Sequence, residues 1–324
     1  MDFTQPWWDQ RSVEDLSINN KLFLVASDIT ILDDDATSGI IFNKAMAQDY
    51  NSPDFYELVK TGKWTLDALV DATKEVAGDL NGDSVINEED RYGIIGQLDF
   101  AHSCFIGAGS KFAGKNTDDL PYDSFYNERN VAVCEKILDI MYNTDNFYNA
   151  HRLPVKGNEV FANNQGLFKW IRLEDITKLR RYDVEFGILP TPKYDEQQDT
   201  YYSAVSSHNG TLLTVPVIHN NPEMVGCILE ALAAESKYVL IPAYYDLTLI
   251  SKGIRDEQSE EMLDIIVSQR SFDFGDIFGF GGFAETWLYM TYYDQKDIAS
   301  LYEKTSKKIG NDIEKLIEKV LELD

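Results

Sequence analysis

The sequence predicts a mixed α/β chain, rich in helix and short of strands. Apolar residues recur at helical spacing in five separate stretches. Between them lie a few compact apolar runs closed by Pro, Gly or polar turn residues, the pattern of strands. Hydrophobic residues make up 44% of the 324 positions, enough for a substantial core and too many for a largely disordered chain. At about 150 residues per domain, the length fits roughly two domains. No internal repeat and no clean βαβ alternation is present.

In chain order, Lys21 to Ser27 is the first apolar run and reads as a strand. Thr65 can cap a helix running to about Ala77, with Leu66, Leu69, Val70, Thr73 and Val76 on one face. Tyr92 to Gly96 is strand-like. Asn130 to Tyr142 reads as a helix whose stripe is Val133, Ile137, Leu138 and Met141. Val184 to Leu189 reads as a strand stopped by Pro190-Thr191-Pro192, and Thr211 to Val217 as another. Asn221-Pro222 is a helix start, a cap followed by proline at the first helical position. Met224, Val225, Ile228, Leu229 and Leu232 follow at helical spacing. Ser259 to Gln269 and Ile298 to Leu321 are further helices. The last puts Ile309, Ile313, Leu316, Ile317 and Val320 on one side and mixed charge on the other.

Charge narrows the function classes. With 29 basic against 55 acidic residues the net charge is −26, which repels phosphate backbones and anionic lipid and argues against nucleic acid as a partner. Apolar stretches such as Tyr238 to Tyr245 are far short of the ~20 residues of a membrane span, so direct membrane insertion is not expected. The opening Met1-Asp2-Phe3-Thr4-Gln5-Pro6-Trp7-Trp8 has neither the basic nor the apolar region of a signal peptide. Cys104, Cys134 and Cys227 are odd in number and far apart, so no disulfide framework or zinc site is expected. His102-Ser103-Cys104 reads as packed core before it reads as a ligand pair. The four histidines, His102, His151, His208 and His219, have no neighbouring nucleophile signature, and no catalytic motif stands out. Among 55 acids, paired carboxylates arise by chance. Gly279 to Phe283 reads as a flexible aromatic loop.

The sharpest local signal is the loop from Asp79 to Asp90. Asp79, Asn81, Asp83, Asn87 and Asp90 fall at positions 1, 3, 5, 9 and 12, with the carbonyl of Val85 at position 7. That spacing wraps oxygens around one hard cation, so structural Ca²⁺ is the expected cofactor. Ile86 can anchor the loop to the core. Ser84 stands where glycine is usual and Asp90 where the longer Glu is usual; the loop looks like those of dockerin modules more than those of calcium sensors. Aromatic clusters at Trp7-Trp8-Asp9, Phe168-Lys169-Trp170, Tyr244-Tyr245-Asp246 and Phe280 to Trp287 are the remaining functional material. Taken singly each reads first as core. As a set they offer flat faces for sugar rings, with acids nearby for hydroxyls.

A family resemblance rests on strings in order along the chain. They are Pro6-Trp7-Trp8-Asp9-Gln10, Phe42-Asn43-Lys44, Lys63-Trp64-Thr65, the Asp79 to Asp90 loop, Arg91-Tyr92-Gly93 and Phe186-Gly187-Ile188-Leu189-Pro190 through Asp195. Tyr201-Tyr202-Ser203, Leu229 to Ser236, Pro242 to Asp246, Arg255-Asp256 to Ser259, Glu261 to Asp264 and the final helix continue it. The sequence resembles the bacterial extracellular solute-binding proteins of the carbohydrate type, the receptors of ABC importers. The resemblance implies a two-lobed, type II periplasmic-binding-protein-like α/β fold that closes on ligand about a hinge. Residues 29–205, with part of 256–297, would form the lobe carrying the calcium-like loop. Residues 1–28 and 206–255 and the C-terminal helix would supply the crossings, near Val25 to Asp28 and Ser203 to Thr214, and an incomplete second lobe. The βα units and lipid-attachment segment that open other members are not in this sequence.

The function so implied is capture of a sugar or oligosaccharide in an inter-lobe cleft, without chemistry, and delivery to a membrane permease. An extracellular or cell-surface location goes with it. Cleft residues expected by this resemblance are Asp28, Gln97, Asp99, Trp170, Phe280 and Trp287, with Trp8 a weaker candidate. The alternatives are a glycoside-active enzyme, which also lines a cleft with acids and aromatics, and a non-binding remnant that keeps only the calcium loop.

Overall fold

The computed structural model describes residues 1–218, 221–245, 256–290, 292–293 and 295–323. His219, Asp246 and Arg255 lie outside these. A five-stranded sheet organises the core: β1 (Ser38–Asn43), β2 (Tyr92–Gly96), β3 (Phe147–Asn149), β4 (Gly166–Arg172) and β5 (Phe186–Leu189). Their spatial order is β3-β2-β4-β1-β5. β2 runs parallel to both β3 and β4, while β1 runs antiparallel to β4 and β5. These strands are short, apolar and buried along nearly their whole length, as expected for a sheet covered by helices on both faces.

Helix α1 (Leu98–Gly107) follows β2 directly and is buried on almost every side, and α2 (Glu128–Tyr142) packs beside it. Rings fill the space around them. Phe55, Trp64 and Phe168 meet at centroid distances of 4.9–5.9 Å, and the Trp64 indole donates to the Pro190 carbonyl at 2.8 Å. Phe125 and Phe283 meet edge to face at 4.2 Å. The glycine-rich stretch 279–283 is a tight turn between helices. At Gly281, φ is +65° and a Cβ would lie 2.6 Å from Ile309, so only glycine lets the turn seat on the C-terminal helix.

Two helices differ in how they use their apolar stripes. α3 (Pro222–Pro242) starts as expected, with the Asn221 side chain accepting from Met224 N at 3.1 Å. Leu229 packs into a small cluster with Trp8, Val25 and Ala233. Met224, Ile228, Leu232 and Val239 instead point outward and are exposed. In α4 (Ile298–Leu321) the expected residues Ile309, Ile313 and Val320 are buried. None of the described helices is long and apolar enough to cross a membrane.

The strands expected at Lys21 to Ser27 and Thr211 to Val217 are corrected. Only Lys21–Leu22 joins a two-stranded hairpin, with Ser17–Ile18. The two runs otherwise meet at a single point, where Val25 N donates to Leu213 O at 3.1 Å and Leu213 N to Val25 O at 2.8 Å. These segments touch where they pass and do not form a ladder.

A buried charge knot lies beside that region, on the strand pair Ser203–Ala204 and Arg270–Ser271. The Arg270 guanidinium reaches Asp9 at 2.5 Å, Asp34 at 2.6 Å and Asp33 at 3.2 Å. Asp9 also caps the helix Gln10–Leu16. Tyr244 donates to Asp35 at 2.7 Å and Tyr245 to Asp34 at 3.0 Å. One cation faces three carboxylates away from water. Burial pushes the Asp33 carboxyl up to about 8; Arg270 opposes the rise and Asp34 adds to it.

Asp33 therefore keeps a proton in the folded chain that it loses when unfolded, and stability declines as pH rises between the two pKa values. The unfolding temperature should fall from about pH 4 to about pH 8, and Asp33→Asn should flatten that fall. An equal slope in the variant would remove Asp33 as the source. Arg270→Met should cost about 3–5 kcal/mol in chemical denaturation, because it strands buried carboxylates.

Candidate functional site

In an open α/β sheet, a crevice forms outside the carboxyl ends of the strands where successive connections leave in opposite directions. Here that place is β2. The chain goes from β2 to β3 on one side and then to β4 on the other. Two adjoining hollows lie at this edge, and Trp170 and Arg172 at the end of β4 line both.

The first hollow is a narrow recess of about 20 Å³ between α1, the Ala204 to His208 segment and the helices Phe274–Phe278 and Phe283–Tyr289. Asp99, Asp276 and Glu285 contribute acids, and His102 lies 3.4 Å from Asp276. Behind the recess, burial pushes the Asp273 carboxyl up to about 7, helped by Asp276; the backbone N–H groups of Asp276 and Phe112 oppose the rise.

The second hollow is larger, about 410 Å³, and its polar groups have the opposite sign. Lys156, Lys169, Arg172, Lys178 and Arg181 line it, with Asp175 as its one acid. Arg172 donates twice to Glu174, at 2.9 and 2.6 Å. Lys178 pairs with Glu174 at 3.0 Å and Asp175 at 3.3 Å. Lys169 is 6% exposed and its ammonium donates to the Trp170 carbonyl at 3.0 Å. Burial pulls its pKa down, against the pull of Asp175. Burial would raise Asp175, but Lys169 and Lys178 hold it below its usual range.

Of the residues expected from sequence, Gln97, Asp99 and Trp170 come together here. Gln97 lines the basic hollow and donates to Asp99 at 3.0 Å. Trp170 is only 3% exposed, and its indole donates to Ser103 at 3.0 Å, so its ring faces protein more than solvent. The structure places the others elsewhere. Asp28 forms an ion pair with Lys237 of α3 at 3.3 Å; burial raises its pKa and Lys237 opposes that. Trp8, Phe280 and Trp287 are core side chains. Arg172, His102 and the four lysine and arginine partners were missed. Five of the 29 basic residues fall between Lys169 and Arg181, and that density was the available signal.

The Asp79 to Asp90 loop is held by its own side chains. Asp79 accepts from Gly82 N at 2.6 Å and Ser84 N at 2.8 Å, and Asp83 from Val85 N at 2.8 Å. Asp90, fully buried, accepts from Leu80 N and Asn87 N. The Asn81 side-chain Oδ1 accepts from Asp83 N, and the Asn87 side-chain amide donates to the Val85 backbone carbonyl at 3.2 Å. Among the described residues no three His, Cys, Asp or Glu side chains are gathered as a metal site. All three cysteines are free.

No family model and no curated protein matches the sequence. Solved structures do match in fold. The sugar-binding protein MalE from Xanthomonas citri aligns with a TM-score of 0.62 at 10% identity, over 100% of this chain and 79% of that one. An ABC substrate-binding protein from Listeria monocytogenes, in complex with cycloalternan, aligns at 0.56 and 10% identity, over 99% and 76%. UgpB from Mycobacterium tuberculosis, in complex with glycerophosphocholine, aligns at 0.57 and 13%, over 97% and 78%. The chain has the periplasmic-binding-protein-like fold of ABC substrate-binding proteins, as the resemblance implied. These neighbours are binding proteins rather than enzymes.

Trp170 joins β4 to α1 through one buried hydrogen bond. Trp170→Phe should cost about 1 kcal/mol for the lost bond to Ser103, and Trp170→Ala about 3–5 kcal/mol, both read from denaturant midpoints. Equal losses for the two would mean that ring packing contributes nothing.

Proposed function

We propose that this chain is the substrate-binding component of a carbohydrate importer. It takes a sugar or oligosaccharide at the carboxyl edge of the sheet, leaves it unaltered, and delivers it to a membrane permease from outside the cell. The observation that carries the reading is the paired hollow at Trp170 and Arg172. It sits at the switch point of a fold shared with a protein solved in complex with cycloalternan. Gln97, Asp99 and His102 offer hydrogen-bond partners for hydroxyls there. Trp170 borders both hollows with the small part of its ring that is exposed.

Calorimetric titration with linear and cyclic oligosaccharides should show saturable binding, and incubation should release no new reducing ends. Turnover of the saccharide would replace this reading with the glycosidase one. Asp99→Asn should weaken binding by about tenfold, the effect of one lost charge-assisted hydrogen bond. Unchanged affinity would take Asp99 out of the site.

A structural calcium ion in the Asp79 to Asp90 loop is a separate part of the proposal. Its support is the oxygen spacing and a loop already curled by its own side chains. Calcium at a hundredfold excess over Kd should add about 2.7 kcal/mol of stability and raise the unfolding temperature. Absence of a shift, and of heat on titration, would remove the ion.

A further inference from the structure

The second hollow has a charge that the rest of the molecule does not prepare for. The chain carries −26, yet five cations and one acid line this space. Glu174, just outside the lining, pairs with Arg172 and Lys178. Asp175 takes Lys178 and faces Lys169. The two acids leave an excess of positive charge. Among the described residues Lys156 and Arg181 have no ion pair; Arg181 lies over the Tyr182 ring at 5.2 Å.

Lys169 points the same way. Its ammonium has three donors, is almost wholly withdrawn from solvent, and has one hydrogen-bond acceptor, the Trp170 carbonyl. A buried cation is costly unless its donors are met. Gly157 keeps the approach open: a Cβ there would sit 3.6 Å from Lys169 Cε and 3.0 Å from Ile95. This is a built pocket, not a loose surface patch, and it is continuous with the carbohydrate crevice through Trp170 and Arg172.

We propose that the cargo is an acidic carbohydrate, whose carboxylate or phosphate sits in the hollow formed by Lys156, Lys169, Arg172 and Arg181 while its hydroxyls face Gln97 and Asp99. The inference rests on the carbohydrate-receptor reading and adds the charge of the substrate. The acidic exterior then selects against anions everywhere except at this opening. Planar arginine forks suit either oxyanion, so the pocket names the charge and not its source.

The test uses the full chain in calorimetric titration with maltotetraose, an oligogalacturonate, a hexose phosphate and inorganic phosphate, at low and high salt. The acidic saccharides should bind at least about tenfold tighter than the neutral one, and their affinity should fall with salt. Binding of the uronate alone, or of the hexose phosphate alone, identifies which oxyanion is taken; either supports the proposal. Lys156→Gln and Arg181→Gln, both at exposed positions, should each weaken the acidic ligand several-fold and affect any neutral binding less. Tighter binding of the neutral saccharide, or no effect of both variants, overturns the inference while the receptor reading stands. Binding of inorganic phosphate that both variants weaken, with no saccharide bound, keeps the anion pocket and overturns the carbohydrate reading. No binding of any of the four overturns both.

Discussion

The contact of Arg270 with Asp9, Asp33 and Asp34 is the constraint on which the rest of the structure depends. It draws an N-terminal helix cap, a short acidic turn and a strand end onto one guanidinium, and through Tyr244 and Tyr245 it also holds the end of α3. A geometry of this kind stabilises weakly against an apolar substitute but strongly against its own disruption, because removing Arg270 would leave Asp9 and Asp34 without their cation. The passing segments around Val25 and Leu213 have a single bridge between them. The first of them is also held to the chain beside Asp9, where Asp9 N donates to Ala26 O at 3.0 Å and Asp28 N to Trp7 O at 3.1 Å.

Above that anchor, the sheet edge separates charge. α1 begins at the end of β2, and its first turn carries Asp99 into the narrow recess, while the end of β4 and the helix Glu174–Leu179 carry cations into the wider hollow. Trp170 and Arg172 stand between them because residues of like parity on β4 share one face of the sheet, and both lie at its carboxyl end. The recess holds acids close to a histidine, and the hollow holds lysines close to one aspartate. Each is arranged so that low dielectric strengthens whatever complementary group enters.

Local patterns were legible in the sequence and nonlocal ones were not. Ile298–Leu321 was readable to the residue because its amphipathic repeat is long and its cap adjacent. Thr65 caps its helix as its type and position require, accepting from Ala68 N at 3.2 Å. Lys21 to Ser27 has a strand's composition, yet whether a run forms a ladder depends on a partner nearly two hundred residues away. Ser38–Asn43 escaped notice for the converse reason: a short strand buried on both faces shows no alternation. Trp170 was singled out because a large ring draws attention in any sequence. The lysines and arginines beside it were hidden in a chain judged by its total charge. Trp8 and Trp287 share that residue type and lie in the core, since ring identity alone does not say which side of a sheet edge it occupies.

The outward stripe of Met224, Ile228, Leu232 and Val239 on α3 bears on how the chain behaves in bulk solution. It is an adhesive strip on a molecule whose like charge keeps copies apart. That repulsion reaches only about 8 Å at physiological ionic strength and shortens further in brine, whereas apolar attraction is not screened. Added electrolyte therefore weakens what holds copies apart and leaves the apolar pull of α3 undiminished.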